Sequence, residues 1–189
     1  MSMSTDGFIA GPNNELDWMQ RRLDQELYDD VIALVSMADT GIAGFPFAKD
    51  MLPFWAKMEK DSSASQADRA LAQAINRLHN VILSNTEVKL EMDNSSLLLA
   101  KSDQELVDAI TRLKQQSGKF IALPGGVRTA QKLSRLGLVD DYVLMVHPVA
   151  LGEGKALFTT KTDLELVSSK MYGSGVVRLR YRCKETIAK

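Results

Sequence analysis

The stretch FIALPGGVRTAQKL, residues 120–133, decides how this chain is read. An apolar run, KFIAL, has the length and composition of a buried strand. It stops at Pro124, Gly125 and Gly126, and VRTAQKLSRLG then reads as a helix closed by Gly137. A strand running through a bare glycine corner into a helix belongs to an α/β sheet. In such sheets ligands bind beyond the carboxyl ends of the strands. A helix that starts there presents unpaired N–H groups and the positive end of its dipole. Glycines at the corner let a phosphate approach the backbone with no Cβ in the way. Gly125 and Gly126 are therefore a candidate phosphate or pyrophosphate seat. The other reading is a tight turn and nothing more. Neither the full G-x-G-x-x-G nor a P-loop ending in GK[ST] is present.

Working outward, the first residues predict a short strand and a loop, with turn signals at Asp6-Gly7 and Gly11-Pro12-Asn13-Asn14. Leu23, Leu27, Val31, Leu34 and Val35 have helical spacing. DTGIAGFPFAKDMLPFW, with its glycines and prolines, reads as irregular. SQADRALAQAINRLHN predicts a helix whose first turn holds Ser65 and Asp68, and VILSNT a buried strand. SSLLLA is a further strand. SDQELVDAITRLKQQSG is a helix with Ser102 and Glu105 at capping-box spacing and Gly118 as its C-cap. DDYVLMVHPVAL is a long strand. LELVSSKMY and VVRLRYRCK, joined by GSG, form an antiparallel hairpin. The expectation is one α/β domain over 1–189, with three layers, a mixed but mostly parallel sheet, an antiparallel C-terminal hairpin and helices on both faces.

Composition narrows the function classes. The chain has 189 residues and a net charge of −1, a balance that favours neither nucleic acid nor an acidic membrane surface. The one cysteine, Cys183, excludes an internal disulfide and a cysteine-based metal site, and fits a reducing compartment. No apolar run approaches the ~18 residues of a membrane span, and the N-terminus lacks the pattern of a signal peptide. A cytoplasmic protein without a membrane anchor is expected.

Several other residues carry candidate chemistry. Asp6 lies where the first strand ends, and a carboxylate there accepts hydrogen bonds from a heterocycle's N–H edge or relays a proton; it also suits a plain Asp-Gly turn. In ALGEGKALF, Gly152 and Gly154 flank Glu153, so Glu153 and Lys155 face a ligand or the glycines form a bulge. Trp18 and Trp55 offer stacking surfaces or core area. His79 and His147 have no second ligand at metal spacing, and His147 reads as a hydrogen-bonded core residue. No G-x-S-x-G elbow is present.

MSTDGFIAGPNNELDW, VILSNT, PGGVRTAQKLSRLGLVDDYVLMVHPVALGEGKALF and SGVVRLRYR together resemble the dihydrofolate-reductase-like proteins. Within them they resemble the group related to the C-terminal reductase domain of the riboflavin-biosynthesis protein RibD. The resemblance covers nearly the whole chain and is most specific from Gly125 to Phe158. It implies a mixed sheet of eight or nine strands and NADPH-dependent reduction of a pterin-like or ribosylamino-pyrimidine substrate, often by a homodimer. It implies that Asp6 is catalytic and lies in the substrate and nicotinamide pocket; Trp18 and Glu153 are the further candidate substrate contacts. It implies that Ile9, Ala10 and Gly11 line the nicotinamide side, and that Ser84 and Thr86 lie by the adenosine end. Gly125 and Gly126 meet the cofactor diphosphate, with Val127 and Arg128 opening the helix, and Gly44 is a further candidate cofactor contact.

Two positions depart from the family pattern. Phe45 stands where an arginine is expected, and Asn85 where Arg or Lys is common. A cofactor 2′-phosphate then lacks its usual cations, each charge-assisted contact being worth about 1.5–3 kcal/mol. Lys49, Lys132 and Arg128 are the candidate substitutes. Three functions follow: an NADPH-dependent reductase, a binder of a heterocycle or nucleotide that has lost the cofactor, and a dimer without a ligand.

Overall fold

The computed structural model describes residues 1–20 and 24–183. Leu23, expected on the first long helix, lies outside the described residues. The chain, read from sequence as one domain, divides into two compact units, Met1–Asp24 with Ala130–Lys189, and Gln25–Thr129. The architecture is α/β, with parallel strands, helices and an antiparallel hairpin as expected. In place of one sheet of eight or nine strands, the ladders among the described residues form two four-stranded sheets and a two-stranded one.

The unit Gln25–Thr129 is built on an all-parallel sheet. Its strands are β3 (Ala38–Gly44), β4 (His79–Ser84), β5 (Ser95–Leu99) and β6 (Phe120–Ala122), in the order β5-β4-β3-β6. Strands covered on both faces read as continuous apolar runs, and Val81, Ile82, Ile42 and Ala43 are buried accordingly. The registers Ala43↔Ile82 and Gly44↔Leu83 bring the carboxyl ends of β3 and β4 together. Around them run α2 (Gln25–Ser36), α3 (Phe45–Lys60), α4 (Gln66–Asn76), α5 (Asp103–Lys114) and the start of α6 (Val127–Arg135). Two caps follow the sequence: Ser65 Oγ accepts the Asp68 amide and Ser102 Oγ the Glu105 amide, while the Glu105 carboxylate accepts the Lys101 amide. The Tyr28 hydroxyl donates to Asp68 at 2.8 Å.

Two expectations need correction here. The segment read as irregular is β3 followed directly by α3. Pro46 falls at the first helical positions, where its missing N–H costs nothing. Gly41 and Gly44 are small because Asn80 and Thr129 press against them. The second concerns Gly118. The helix ends at Gln115, and a side chain on Gly118 would meet the Asp39 carboxylate at 2.9 Å.

The other unit carries β1 (Ser2–Ser4), β2 (Phe8–Ala10), the short α1 (Asp17–Gln20), β7 (Asp141–His147), β8 (Lys155–Ala156), β9 (Leu164–Met171) and β10 (Val177–Cys183). β1 runs parallel to β7, and β7, β10 and β9 form an antiparallel ladder, in the order β1-β7-β10-β9. β2 and β8 form the small antiparallel pair. Phe8–Ala10, expected as loop, is thus a strand. The Tyr142 hydroxyl donates to Ser134 at 2.7 Å and its ring packs on Phe158. α6 ends as expected at Gly137, whose left-handed backbone lets the Leu138 amide reach back to Leu133.

Candidate functional site

Asp6 sits in the tight turn between β1 and β2, exposed to solvent. Its carboxylate accepts the Leu151 amide at 3.2 Å and the Gly152 amide at 2.8 Å. Thr5 adds its amide and hydroxyl to Val149 O. The turn is thereby stapled to the loop between β7 and β8. The Ser4 hydroxyl first, and then the Gly152 amide, hold the Asp6 carboxyl below its ordinary value. Asp6 is ionised at neutral pH, so it is an acceptor and not a proton donor.

Ile9 and Ala10 are buried in β2, and Gly11 follows them. The Glu15 carboxylate lies against the Cα of Gly11 and accepts the amide and the side-chain NH₂ of Asn13, each at 2.9 Å. Lys155 Nζ donates to Asn14 Oδ1. This polar knot of Asn13, Asn14, Glu15 and Lys155 escapes sequence reasoning, because its members are joined only when β8 returns to β2. Lys155 therefore turns to the Asn14 loop. Glu153, at the tip of the same β7–β8 loop, is exposed. Gly154 has a packing reason, since a Cβ there would collide with Ala10 O. Trp18 is half-buried, donates its indole N–H to Glu15 O, and meets the buried His147 edge to face at 5.3 Å between centroids.

In the other unit, the corner after β6 has Gly126 at φ +91°, a left-handed backbone that a side chain strains. α6 starts at the next residue, and its first-turn N–H groups have no intrahelical acceptor. Arg128 lies in that first turn, exposed. Gly125 is glycine for a second reason. The Phe47 ring packs on it, 2.6 Å from where a Cβ would stand. Phe47 also joins Phe45 and Leu52 against Ala43, Ala48 and Ile82. Gly44, ending β3, faces the Thr129 hydroxyl, 2.5 Å from its own would-be Cβ. At the end of β4, Ser84 Oγ donates to Thr86 O at 2.7 Å and accepts the Thr86 amide at 3.2 Å, closing a local turn. Phe47 on Gly125 is the contact that sequence reasoning missed. Its signal was a large aromatic one residue past Pro46, in a segment that did not read as a helix.

His79 bonds Asn94 and Ser96 through its two ring nitrogens, and His147 contacts the Ser2 hydroxyl at 3.2 Å. The Cys183 thiol donates to Val139 O. Trp55 packs edge to face on Phe54. Among the described residues no group of three or more His, Cys, Asp or Glu is placed to hold a metal ion, and no helix is long and apolar enough to cross a membrane.

A nicotinamide dinucleotide is the cofactor that the resemblance implies. The corner suits its diphosphate: a left-handed glycine, a helix start and a cation in the first turn. The 2′-phosphate of NADPH does not find its partner in the turn that ends β4. There the side chains are Ser84, Asn85, Thr86 and Glu87, and the serine hydroxyl is already used within the turn.

The chain matches the RibD C-terminal domain family over residues 1–178 and belongs to it. Among its relatives is the uncharacterized protein YyaP of Bacillus subtilis (strain 168), 28% identical over 184 residues, covering 96% of this chain and 91% of that one. A putative riboflavin biosynthesis protein from Shewanella sp. PV-4 shares the fold at TM-score 0.72 and 23% identity, over 98% of this chain and 97% of the other. The diaminohydroxyphosphoribosylaminopyrimidine deaminase/5-amino-6-(5-phosphoribosylamino)uracil reductase of Thermotoga maritima matches at TM-score 0.65 and 11% identity. That match covers 97% of this chain and 55% of the larger protein.

Proposed function

We propose that this protein is an oxidoreductase that uses a nicotinamide dinucleotide to reduce a pterin-like or ribosylamino-pyrimidine ring. The observation that carries the reading is Gly126 at φ +91° immediately before α6. Amides of Gly126, Val127 and Arg128, with the Arg128 guanidinium, would hold the diphosphate. Gly44, Ser84 and Thr86, at the carboxyl ends of β3 and β4, belong to the same set. The bound cofactor supplies the hydride. In the other unit, Asp6 would accept an N–H of the substrate ring while keeping the β7–β8 loop in place. Trp18 and Glu153 would lie on the substrate side, and Ile9, Ala10 and Gly11 on the nicotinamide side. A cytoplasmic location belongs to the same proposal, supported by the single cysteine.

A second reading rests on a specific observation. Phe47 already packs on Gly125, and Phe45 and Asn85 replace the usual cations. These favour a binder of a small heterocycle or nucleotide without hydride transfer. The test is oxidation of NADH and of NADPH in the presence of dihydropterins, oxidised pterins and ribosylamino-pyrimidines. Turnover with any of them supports the reductase. Ligand-induced thermal stabilisation by the ring compounds, with no dinucleotide oxidised or bound, supports the binder.

A further inference from the structure

We infer that Ser96, His79 and Asn94 act as nucleophile, general base and positioning residue in the hydrolysis of small esters that carry a free carboxylate. The three lie at the amino ends of the parallel strands, on the rim opposite the Gly125–Gly126 corner. His79 opens β4, Ser96 is the second residue of β5, and Asn94 directly precedes β5. All belong to the unit Gln25–Thr129.

The hydrogen bonds fix the direction of the relay. Asn94 has a left-handed backbone, φ +51°, which asparagine adopts more readily than other side-chain-bearing residues. Its side-chain NH₂ donates to Leu78 O at 2.9 Å, so Oδ1 is the atom turned to His79 Nδ1, at 3.3 Å. An amide oxygen only accepts, so the ring proton stays on Nδ1. Nε2 keeps its lone pair, 2.9 Å from Ser96 Oγ, and accepts the serine O–H. A hydroxyl bonded to a base whose far nitrogen is held by a third group is how a serine is activated, and this is recognised by geometry and not by order in the chain.

The surroundings supply the other parts. β5 is the edge strand of its sheet. The Asn80 amide donates to Asn94 O and the Ala100 amide to Ser84 O. Pairing alternates along a parallel ladder, so Ser96, like Ala100, turns its amide to β4, and Leu97 turns its amide out from the open edge. An amide next to the nucleophile is a donor for a carbonyl oxygen that becomes an oxyanion. Ser96 and His79 line a groove of about 410 Å³ to which Val81, Leu97 and Leu113 give apolar surface and Arg112 of α5 a cation. No Asp or Glu lines it, and the Arg112 guanidinium has no hydrogen-bond or ion-pair partner among the described residues. An apolar ring bearing a carboxylate matches that lining.

The step balances with water as co-reactant. Ser96 Oγ bonds to the ester carbonyl carbon as its proton passes to His79 Nε2. The ester C–O bond breaks, and the leaving alcohol takes that proton. Water then attacks the acyl-serine and gives a proton to Nε2, and Ser96 recovers it as the acid departs.

The test is hydrolysis of para-acetoxybenzoate and of uncharged para-nitrophenyl acetate by the full chain and its variants, each checked for folding by circular dichroism. Mass spectrometry after exposure to a fluorophosphonate locates the nucleophile. The wild type hydrolyses both esters and is labelled on Ser96. Ser96→Ala and His79→Ala each lower kcat/KM by about tenfold or more. Asn94→Ala lowers kcat and leaves KM unchanged, and Arg112→Gln raises KM for para-acetoxybenzoate alone. A wild type no faster than buffer overturns the inference. So does a rate that survives Ser96→Ala, His79→Ala or Asn94→Ala, or a label on any residue but Ser96 or on none. Arg112→Gln kinetics equal to wild type on para-acetoxybenzoate overturn the substrate class.

Discussion

The Phe47 ring stands 2.6 Å from the point where Gly125 would carry a β-carbon. The absent side chain at this corner is thus first a packing requirement between α3 and the β6–α6 turn. A methyl group added to Gly125 must push the ring out of its contacts with Ala43, Ala48 and Ile82. Gly125→Ala is expected to cost about 1–3 kcal/mol, the usual cost of overpacking. Phe47→Leu in the same chain should recover part of it. A double-mutant cycle by urea unfolding checks this. Costs that simply add would show that the two residues are not coupled.

Gly126 answers to a different constraint. Its φ of +91° is a backbone requirement, and its neighbourhood is ordinary van der Waals contact. Gly126→Val is expected to destabilise by about 1–3 kcal/mol through strain and to redirect the first amides of α6. Loss of dinucleotide binding in a chain that calorimetry finds folded is the expected result. Unchanged binding would move the diphosphate away from this corner.

Asp6 sets a pH dependence. Its carboxyl is held below 3.8 by the Ser4 hydroxyl and then by the Gly152 amide, and the ionised form is the one that accepts those donors. A depressed pKa contributes stability that is in force above the unfolded value and disappears as pH falls through the lower folded one. The clamp on Leu151 and Gly152 should therefore persist to pH 3.8 and open below it. The amide proton shift of Gly152, followed by NMR, should titrate with a midpoint under 3.8. A midpoint at or above that value would contradict the clamp.

On the proposed function, the turn ending β4 would govern cofactor choice. With Asn85 where the family commonly has a cation, the 2′-phosphate gains no charge-assisted contact there. NADH and NADPH are expected to bind within a few-fold of each other. Asn85→Arg should tighten NADPH by about tenfold or more, since one such contact is worth about 1.5–3 kcal/mol, and leave NADH unchanged. Isothermal titration of both nucleotides against both proteins checks this.

Much of this was legible before any coordinates. The helices opened by Ser65 and Ser102 announced themselves through side-chain caps, and β4 and β7 through apolar runs. These are signals carried by neighbouring residues. The β3–α3 segment was hidden because Gly41, Gly44 and Pro46 look like loop punctuation. Their reasons, Asn80, Thr129 and a helix start, lie elsewhere in the chain or in the element itself. Site residues followed the same rule. The Gly125–Gly126 corner shows in the sequence as a strand broken by glycines. Phe47 on Gly125, Asp6 on the β7–β8 loop and Lys155 on Asn14 are long-range pairings with no periodic trace.

The most direct measurement is a titration of the folded protein with NADH and NADPH, read by nicotinamide fluorescence and by melting temperature. A nucleotide at 100 times its dissociation constant should stabilise the protein by about 2.7 kcal/mol. Saturable stabilisation by both nucleotides, abolished by Gly126→Val, is the predicted result. A folded wild type whose melting and fluorescence respond to neither would contradict the dinucleotide seat on which the reductase reading stands.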